Sequence, residues 1–187
     1  MHTLLIDNHD SFSYNVFHLL KKVASALPIK VISCEKVKKE DILYSRRIIL
    51  SPGGGLPTEY PNLMQSIYLA EKHCPILGIC LGHQALAIHF GAKLEHLSLP
   101  FHGLQSNLKT IDCPLFQGIE EVKVARYHSW VVAKHSLPNT LQTTSLSEEG
   151  HIMSFQHKSL PIWGVQFHPE SFVTRKGEQM ISNFFKL

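Results

Sequence analysis

Cys80 is the cysteine whose neighbours suit a nucleophile. It stands in Pro75-Ile76-Leu77-Gly78-Ile79-Cys80-Leu81-Gly82-His83-Gln84, a G-x-C-x-G pattern between a strand-like apolar run and a helix-like one. Small residues two before and two after let the chain turn sharply and lift a side chain above a sheet edge, as in the G-x-S-x-G elbow of serine hydrolases. A thiol at a helix N-terminus also feels the positive end of the macrodipole, which favours the reactive thiolate. Cys34, Cys74 and Cys113 lack that setting and read as small buried hydrophobes.

Two further segments could complete such chemistry. Gly164-Val165-Gln166-Phe167-His168-Pro169-Glu170-Ser171 follows a core-strand pattern with a histidine and a carboxylate two positions apart. In extended chain, i and i+2 share a side, so Glu170 is expected to hold the far ring nitrogen of His168 and fix its tautomer. A nucleophile, a base and an orienter are the parts of a Cys-His-Glu relay. Ser51-Pro52-Gly53-Gly54-Gly55-Leu56-Pro57 follows another apolar strand. Three successive glycines expose backbone N–H groups that suit an anion or an oxyanion, whereas the G-K-[ST] ending and G-x-G-x-x-G spacing of nucleotide loops are missing.

The elements that must position these residues alternate. Thr3 to Ile6, Ile29 to Ser33, Arg46 to Leu50 and Ile76 to Ile79 read as strands. Val16, Leu19, Leu20 and Val23, then Leu63, Met64, Ile67 and Tyr68, then Ala85 to Phe90, read as helices. Such βαβα alternation predicts a mainly parallel sheet covered on both faces. From about Ala92 to Gln156 the rhythm shifts to short β-type stretches, Val122 to Tyr127, Trp130 to Ala133, Leu141 to Thr144 and Ile152 to Phe155, which predict appended antiparallel strands. Ile162 to Phe167 reads as a last core strand, and Ile181, Phe184 and Phe185 as a closing helix capped by Thr174.

Composition bounds the rest. The 187 residues are 44% hydrophobic and 18% charged, as expected of one packed α/β domain over 1–187. Eighteen Lys and Arg against 15 Asp and Glu give a net charge of +3, with doublets but no basic block, so nucleic acid is a poor partner. No apolar run approaches the roughly 20 residues of a membrane span, and the start breaks into polar residues too soon for a signal peptide, so neither membrane nor export is expected and the cytoplasm is. Thirteen histidines and four cysteines show no C-x-x-C or H-E-x-x-H spacing, and no metal site is expected; most histidines read as surface or capping residues.

Taken in order, Asp7-Asn8-His9-Asp10-Ser11-Phe12-Ser13-Tyr14-Asn15, the Ser51 to Pro57 loop, Gly78 to Gln84, Arg126-Tyr127-His128-Ser129 and Gly164 to Ser171 resemble the class I glutamine amidotransferases. The narrower resemblance is to the glutaminase components of anthranilate and aminodeoxychorismate synthases. It implies a three-layer, flavodoxin-like fold. It also implies that Cys80 attacks the carboxamide of L-glutamine, with His168 as base and then acid and Glu170 as orienter. The N–H groups of Leu81 and Gly55 would hold the oxyanion. Gly53, Gly54, Gly55, Gln84, Ser129 and Trp130 would grip glutamine. Ammonia would pass to a separate chorismate-using synthase subunit, and the magnesium of that reaction would belong to the partner, leaving this chain without a cofactor. A free-standing γ-glutamyl thiol hydrolase and a catalytically silent binding subunit are the competing readings. Three positions depart from the family pattern: Gly54 replaces a proline, Trp130 replaces the leucine after His-Ser, and Leu104 replaces a basic residue in Phe101-His102-Gly103-Leu104-Gln105-Ser106, a segment associated with the subunit interface.

Overall fold

The computed structural model describes residues 1–110 and 113–187. The amino-terminal half runs β1 (His2–Asn8), α1 (Ser13–Val23), β2 (Ile29–Ser33), α2 (Lys39–Leu43), β3 (Ser45–Gly53), α3 (Pro61–Ala70), β4 (Ile76–Ile79) and α4 (Leu81–His89). The remainder is β5 (Leu94–Thr110), β6 (Val122–Val132), β7 (Leu141–Leu146), β8 (Ile152–His157), β9 (Ile162–Val165) and α5 (Gly177–Lys186). The strands form one sheet in the order β2-β1-β3-β4-β9-β8-β7-β5-β6. The five strands from β2 to β9 pair in parallel, and the four beyond β9 pair antiparallel.

Period-two alternation in the parallel strands splits the core into two layers. Leu4, Ile6, Ile48 and Leu50 pack with Leu63 and Ile67 of α3 and Ala85 of α4 on one face. Leu5, Ile49, Leu77 and Ile79 pack on the other face with Val16 and Leu20 of α1 and Met180, Ile181 and Phe184 of α5. Strands apolar on both sides are what a sheet sandwiched between helices requires. The three-layer α/β architecture with appended antiparallel strands is therefore present.

Some elements differ from the sequence reading. Val122 to Tyr127 and Trp130 to Val132 belong to one strand, β6, which runs on through His128, paired with Phe101, and a register shift before Trp130 pairs with His96; Ala133 lies just outside it. β5 itself is a 17-residue strand that hydrophobic patterning does not reveal, since most of its length is exposed and Pro100, Gly103 and register shifts interrupt it. The short helix α2 was likewise not apparent. Thr174 does not cap α5, whose N-cap is Lys176 in the left-handed region at φ 66°. The Thr174 hydroxyl instead donates to the His168 carbonyl at 2.6 Å and accepts from the Ala125 N–H at 2.9 Å. Among the described residues, no helix is long and apolar enough to cross a membrane.

Candidate active site

The carboxyl ends of adjacent parallel strands gather the candidate residues, as open α/β sheets generally arrange their sites. β3 ends in the glycine loop, β4 runs into Cys80, and β9 leads to His168. β4 and β9 are in register, Ile79 opposite Val165, and the Cys80 N–H donates to the Val165 carbonyl at 2.8 Å. Cysteine and histidine, 88 positions apart in the numbering, therefore leave neighbouring strands at the same edge.

Cys80 adopts φ 51° and ψ −102°, a conformation that costs a non-glycine residue of order 1–3 kcal/mol. The surrounding packing imposes it. A Cβ on Gly78 would lie 2.5 Å from the Gly82 carbonyl carbon, and one on Gly82 would lie 2.6 Å from the Leu50 Cβ, so both elbow glycines are sterically required. The first internal hydrogen bond of α4 runs from the Gln84 N–H to the Cys80 carbonyl at 3.1 Å. The preceding N–H groups, Leu81 first, precede that ladder, as at any helix start. The Cys80 Sγ lies 3.9 Å from the Tyr127 carbonyl and 3.6 Å from Gln166 Nε2.

His168 and Glu170 meet through a turn and not through the extended geometry expected from their spacing. The Ser171 N–H closes the turn on the His168 carbonyl at 3.2 Å, and the His168 ring Nδ1 lies 2.6 Å from Glu170 Oε1. Both side chains are sealed from solvent, at 2% and 0% exposure. Burial by itself lowers the His168 pKa, but the charge of Cys80 and the Glu170 carboxylate together hold it well above the usual 6.5. His168 Nε2 is buried and outside hydrogen-bond geometry with any described residue. The edges of the Phe12 and Tyr127 rings pack on the imidazole, with centroids at 5.2 and 5.1 Å. Its N–H and carbonyl are bound by Ala125 and Thr174.

Gly53, Gly54, Gly55, Cys80, Gln84, Ser129 and Trp130, with Tyr127 and His128, line one cleft of about 140 Å³. The fold thus brings together every glutamine-contact candidate. Gly55 sits at φ 66°, where side chains are strained, and the Gly54 carbonyl accepts the Tyr60 hydroxyl at 3.0 Å. Asn8 clamps the loop's stem: its backbone N–H donates to the Ser51 hydroxyl at 2.9 Å and its side chain to the Ser51 carbonyl at 2.8 Å. Gln84 Nε2 donates to the Trp130 carbonyl and to Gln166 Oε1, both at 3.0 Å. Its two amide hydrogens are consumed inside the protein, so what Gln84 offers a ligand is its carbonyl oxygen.

Gln166, His83 and Arg126 stand inside the sequence motifs without a role assigned from sequence; all three are buried, Arg126 beside the cleft. Gln166 could have been found from its place two before His168; nothing in the spacing pointed to a buried arginine. The fold also gathers His9, Cys34 and Glu35, whose ligand-type atoms lie within 4.8 Å of one another, a grouping that the 24 positions between His9 and Cys34 conceal in the sequence. His9 and Glu35 already pair there, with both side chains more than half exposed.

Residues 4–187 match the family model for class-I glutamine amidotransferases. The chain belongs to that family. It is 36% identical to the aminodeoxychorismate/anthranilate synthase component 2 of Bacillus subtilis, with 98% of this chain and 95% of the relative aligned. It is 40% identical to anthranilate synthase component 2 of Saccharolobus solfataricus, covering 97% and 96%. The aminodeoxychorismate synthase of Streptomyces griseus is 38% identical over 98% of this chain, which spans only 26% of that protein's length. Among solved structures, a glutamine amidotransferase from Thermotoga maritima superposes with a TM-score of 0.70 at 17% identity, covering all of this chain and 81% of the other. A Thermoplasma acidophilum protein superposes with a TM-score of 0.87 at 25% identity, covering 100% and 92%.

Proposed function

We propose that this class-I amidotransferase hydrolyses L-glutamine at Cys80 and delivers the ammonia to a chorismate-using synthase subunit. The observation that carries the reading is the buried His168–Glu170 pair at 2.6 Å beside a strained cysteine whose cleft is lined by the glycine loop and Gln84.

In this reading the Cys80 thiolate attacks the carboxamide carbon and the carbonyl π electrons move onto oxygen. The oxyanion is held by the N–H of Leu81, at the start of α4, and by that of Gly55. The C–N bond then breaks, His168 Nε2 gives its proton to the leaving nitrogen, and ammonia departs from a γ-glutamyl thioester. A water attacks the thioester, His168 takes its proton, and glutamate leaves as the thiolate returns. Glu170 keeps Nδ1–H directed inward so that Nε2 faces the chemistry. The Gly53 to Gly55 backbone, the Gln84 carbonyl oxygen and the Ser129–Trp130 backbone orient the substrate. No step calls on a metal in this chain; magnesium belongs to the partner's reaction.

The relatives' names support the synthase partner: several are component 2 of anthranilate synthase or of a dual aminodeoxychorismate/anthranilate synthase. Ammonia released with no acceptor is wasted, so the glutamine site gains from being set by the partner. A coupling in the ordinary allosteric range gives roughly 5- to 150-fold activation by the synthase subunit. The test is glutamine hydrolysis by the chain alone, then titrated with synthase subunit and chorismate. Cys80→Ala in the complex is expected to abolish glutamine-dependent synthesis and to spare synthesis from added ammonia. Residual glutamine turnover by that variant, or full activity of the chain alone with no response to the partner, overturns the reading.

A further inference from the structure

Arg126 is fully buried two residues before His128 on β6. Its head group is held on several sides: Nη1 donates to Glu149 Oε2 at 2.9 Å and to the Ser106 hydroxyl at 3.2 Å. Nη2 lies 3.3 Å from His151 Nδ1, and the guanidinium carbon sits 3.3 Å above the centre of the Phe101 ring. A charge withdrawn from water this far costs several kcal/mol unless paired, and arginine adds little to a core that an apolar residue could not supply. The Nε donor shows what it is suited to do. Nε donates to His128 Nε2 at 3.2 Å, and His128 Nδ1 lies 3.1 Å from the Trp130 carbonyl.

Arginine only donates and a carbonyl only accepts, so both bonds are satisfied by one state of His128, the neutral ring protonated at Nδ1. Burial first, and then the Arg126 charge, push the His128 pKa down to about 3, which keeps that ring neutral at ordinary pH. The Trp130 carbonyl that receives His128 also receives Gln84 Nε2, whose other hydrogen goes to Gln166 Oε1, and Gln166 Nε2 points to the Cys80 sulfur. Turning any member over would set acceptor against acceptor or donor against donor. Starting from a residue that cannot accept, the network has a single satisfied orientation.

We propose that Arg126 is a positioning residue for the substrate: by locking His128 in its Nδ1–H tautomer it sets the Trp130 carbonyl and the Gln84 amide that line the glutamine cleft. The substrate named here rests on the proposed glutaminase activity; the tautomer lock does not. The lock also ties the cleft to two outer parts of the molecule. Glu149 is 46% exposed in the β7–β8 connection, and Phe101 and Ser106 flank the exposed Leu104 on β5.

Nitrogen NMR of the full chain with labelled histidine gives a readout independent of turnover. Wild type is expected to show His128 neutral with its proton on Nδ1; a ring protonated on Nε2 refutes the lock outright. In Arg126→Met the single-tautomer pattern should be lost, whereas Arg126→Lys, which keeps a cationic donor, should retain much of it. For glutamine, KM is expected to rise about tenfold or more in Arg126→Met with kcat changed by no more than about threefold, and the lysine variant should recover part of the loss. Labelling of Cys80 by a glutamine-analogue alkylator should slow in proportion, while labelling by iodoacetamide, which needs no glutamine pocket, should not. A merely structural arginine would lower the melting temperature and leave the folded variant's KM and tautomer as in wild type, which refutes the proposal. If the methionine variant does not fold, the wild-type tautomer and the lysine variant decide. If wild type fails to turn over glutamine, the glutaminase reading falls, and the tautomer spectra still report on the lock.

Discussion

His128 and His168 are both buried, both flank the cysteine, and are driven in opposite directions. His168 faces Glu170 and Cys80 and is held well above the ordinary histidine pKa; burial first, and then the Arg126 charge, pushes His128 down to about 3. Desolvation acts on both with the same sign, so the neighbour decides the outcome. The hydrogen bonding differs in the same sense. His168 has one nitrogen engaged and Nε2 left over, as a proton carrier needs. His128 has both nitrogens engaged, as a structural strut needs. The two carboxylates follow suit: Glu170 is sealed at 0% exposure against its histidine, whereas Glu149 reaches its arginine from the surface at 46%. In the proposed reaction one imidazole carries the proton and the other is a spacer, and nothing in the residue type distinguishes them.

The contrast is sharpest when His168 loses its part. His168→Ala should reduce glutamine turnover more than Glu170→Gln does, by roughly a hundredfold, because the orienting acid of a relay costs less than the base. Both rates measured at saturating glutamine, with Glu170→Gln found the more damaged, would reverse the assignment of roles. The same Glu170→Gln variant removes a contribution that raises the His168 pKa, so an NMR titration should find that pKa lowered. The sign for stability follows. A raised folded-state pKa contributes stability that is fully present below the unfolded value near 6.5 and lost as pH rises through the folded value. Glu170→Gln should flatten that part of the stability profile.

His128 should behave in the opposite way. Its depressed pKa means the unfolded chain binds the proton first, so stability falls as pH drops from about 6.5 toward about 3. His128→Gln, which cannot charge, should make acid unfolding shallower across that window; an unchanged slope would mean that His128 is not the buried neutral group described here. The smallest effect is expected at the loop. Tyr60→Phe removes the hydroxyl bond to the Gly54 carbonyl and should cost about 0.5–1.5 kcal/mol in denaturant melts, the range of one hydrogen bond. It should change glutamine KM more than kcat if that bond holds the loop for binding.

How far this was legible in the sequence differs between the halves of the chain. In the parallel half, short β-branched or apolar runs alternate with helices, so Ile29 to Ser33 at the sheet edge and the fully buried Ile76 to Ile79 stand out with their observed bounds. The elbow glycines are legible because close backbone approach admits no other residue. In the antiparallel half, β5 is polar along most of its length, and its pairing with β6 is a long-range choice that local patterning does not encode. Thr174 looked like a cap because capping threonines and threonines that bind a distant carbonyl have the same local sequence.

Sequence alone determined the family, the βαβα order and the short list of residues able to do thiol chemistry, because motifs and alternation are local properties. Only the tertiary structure decided which histidine carries the raised pKa. It also decided that a turn joins His168 to Glu170, that Gln166 reaches Cys80, and that Arg126 is buried against His128. The raised pKa and the Gln166–Cys80 contact need groups more than eighty positions apart, and even the neighbours two positions apart, His168 with Glu170 and Arg126 with His128, owe their effect to burial that exists only once the strands have paired.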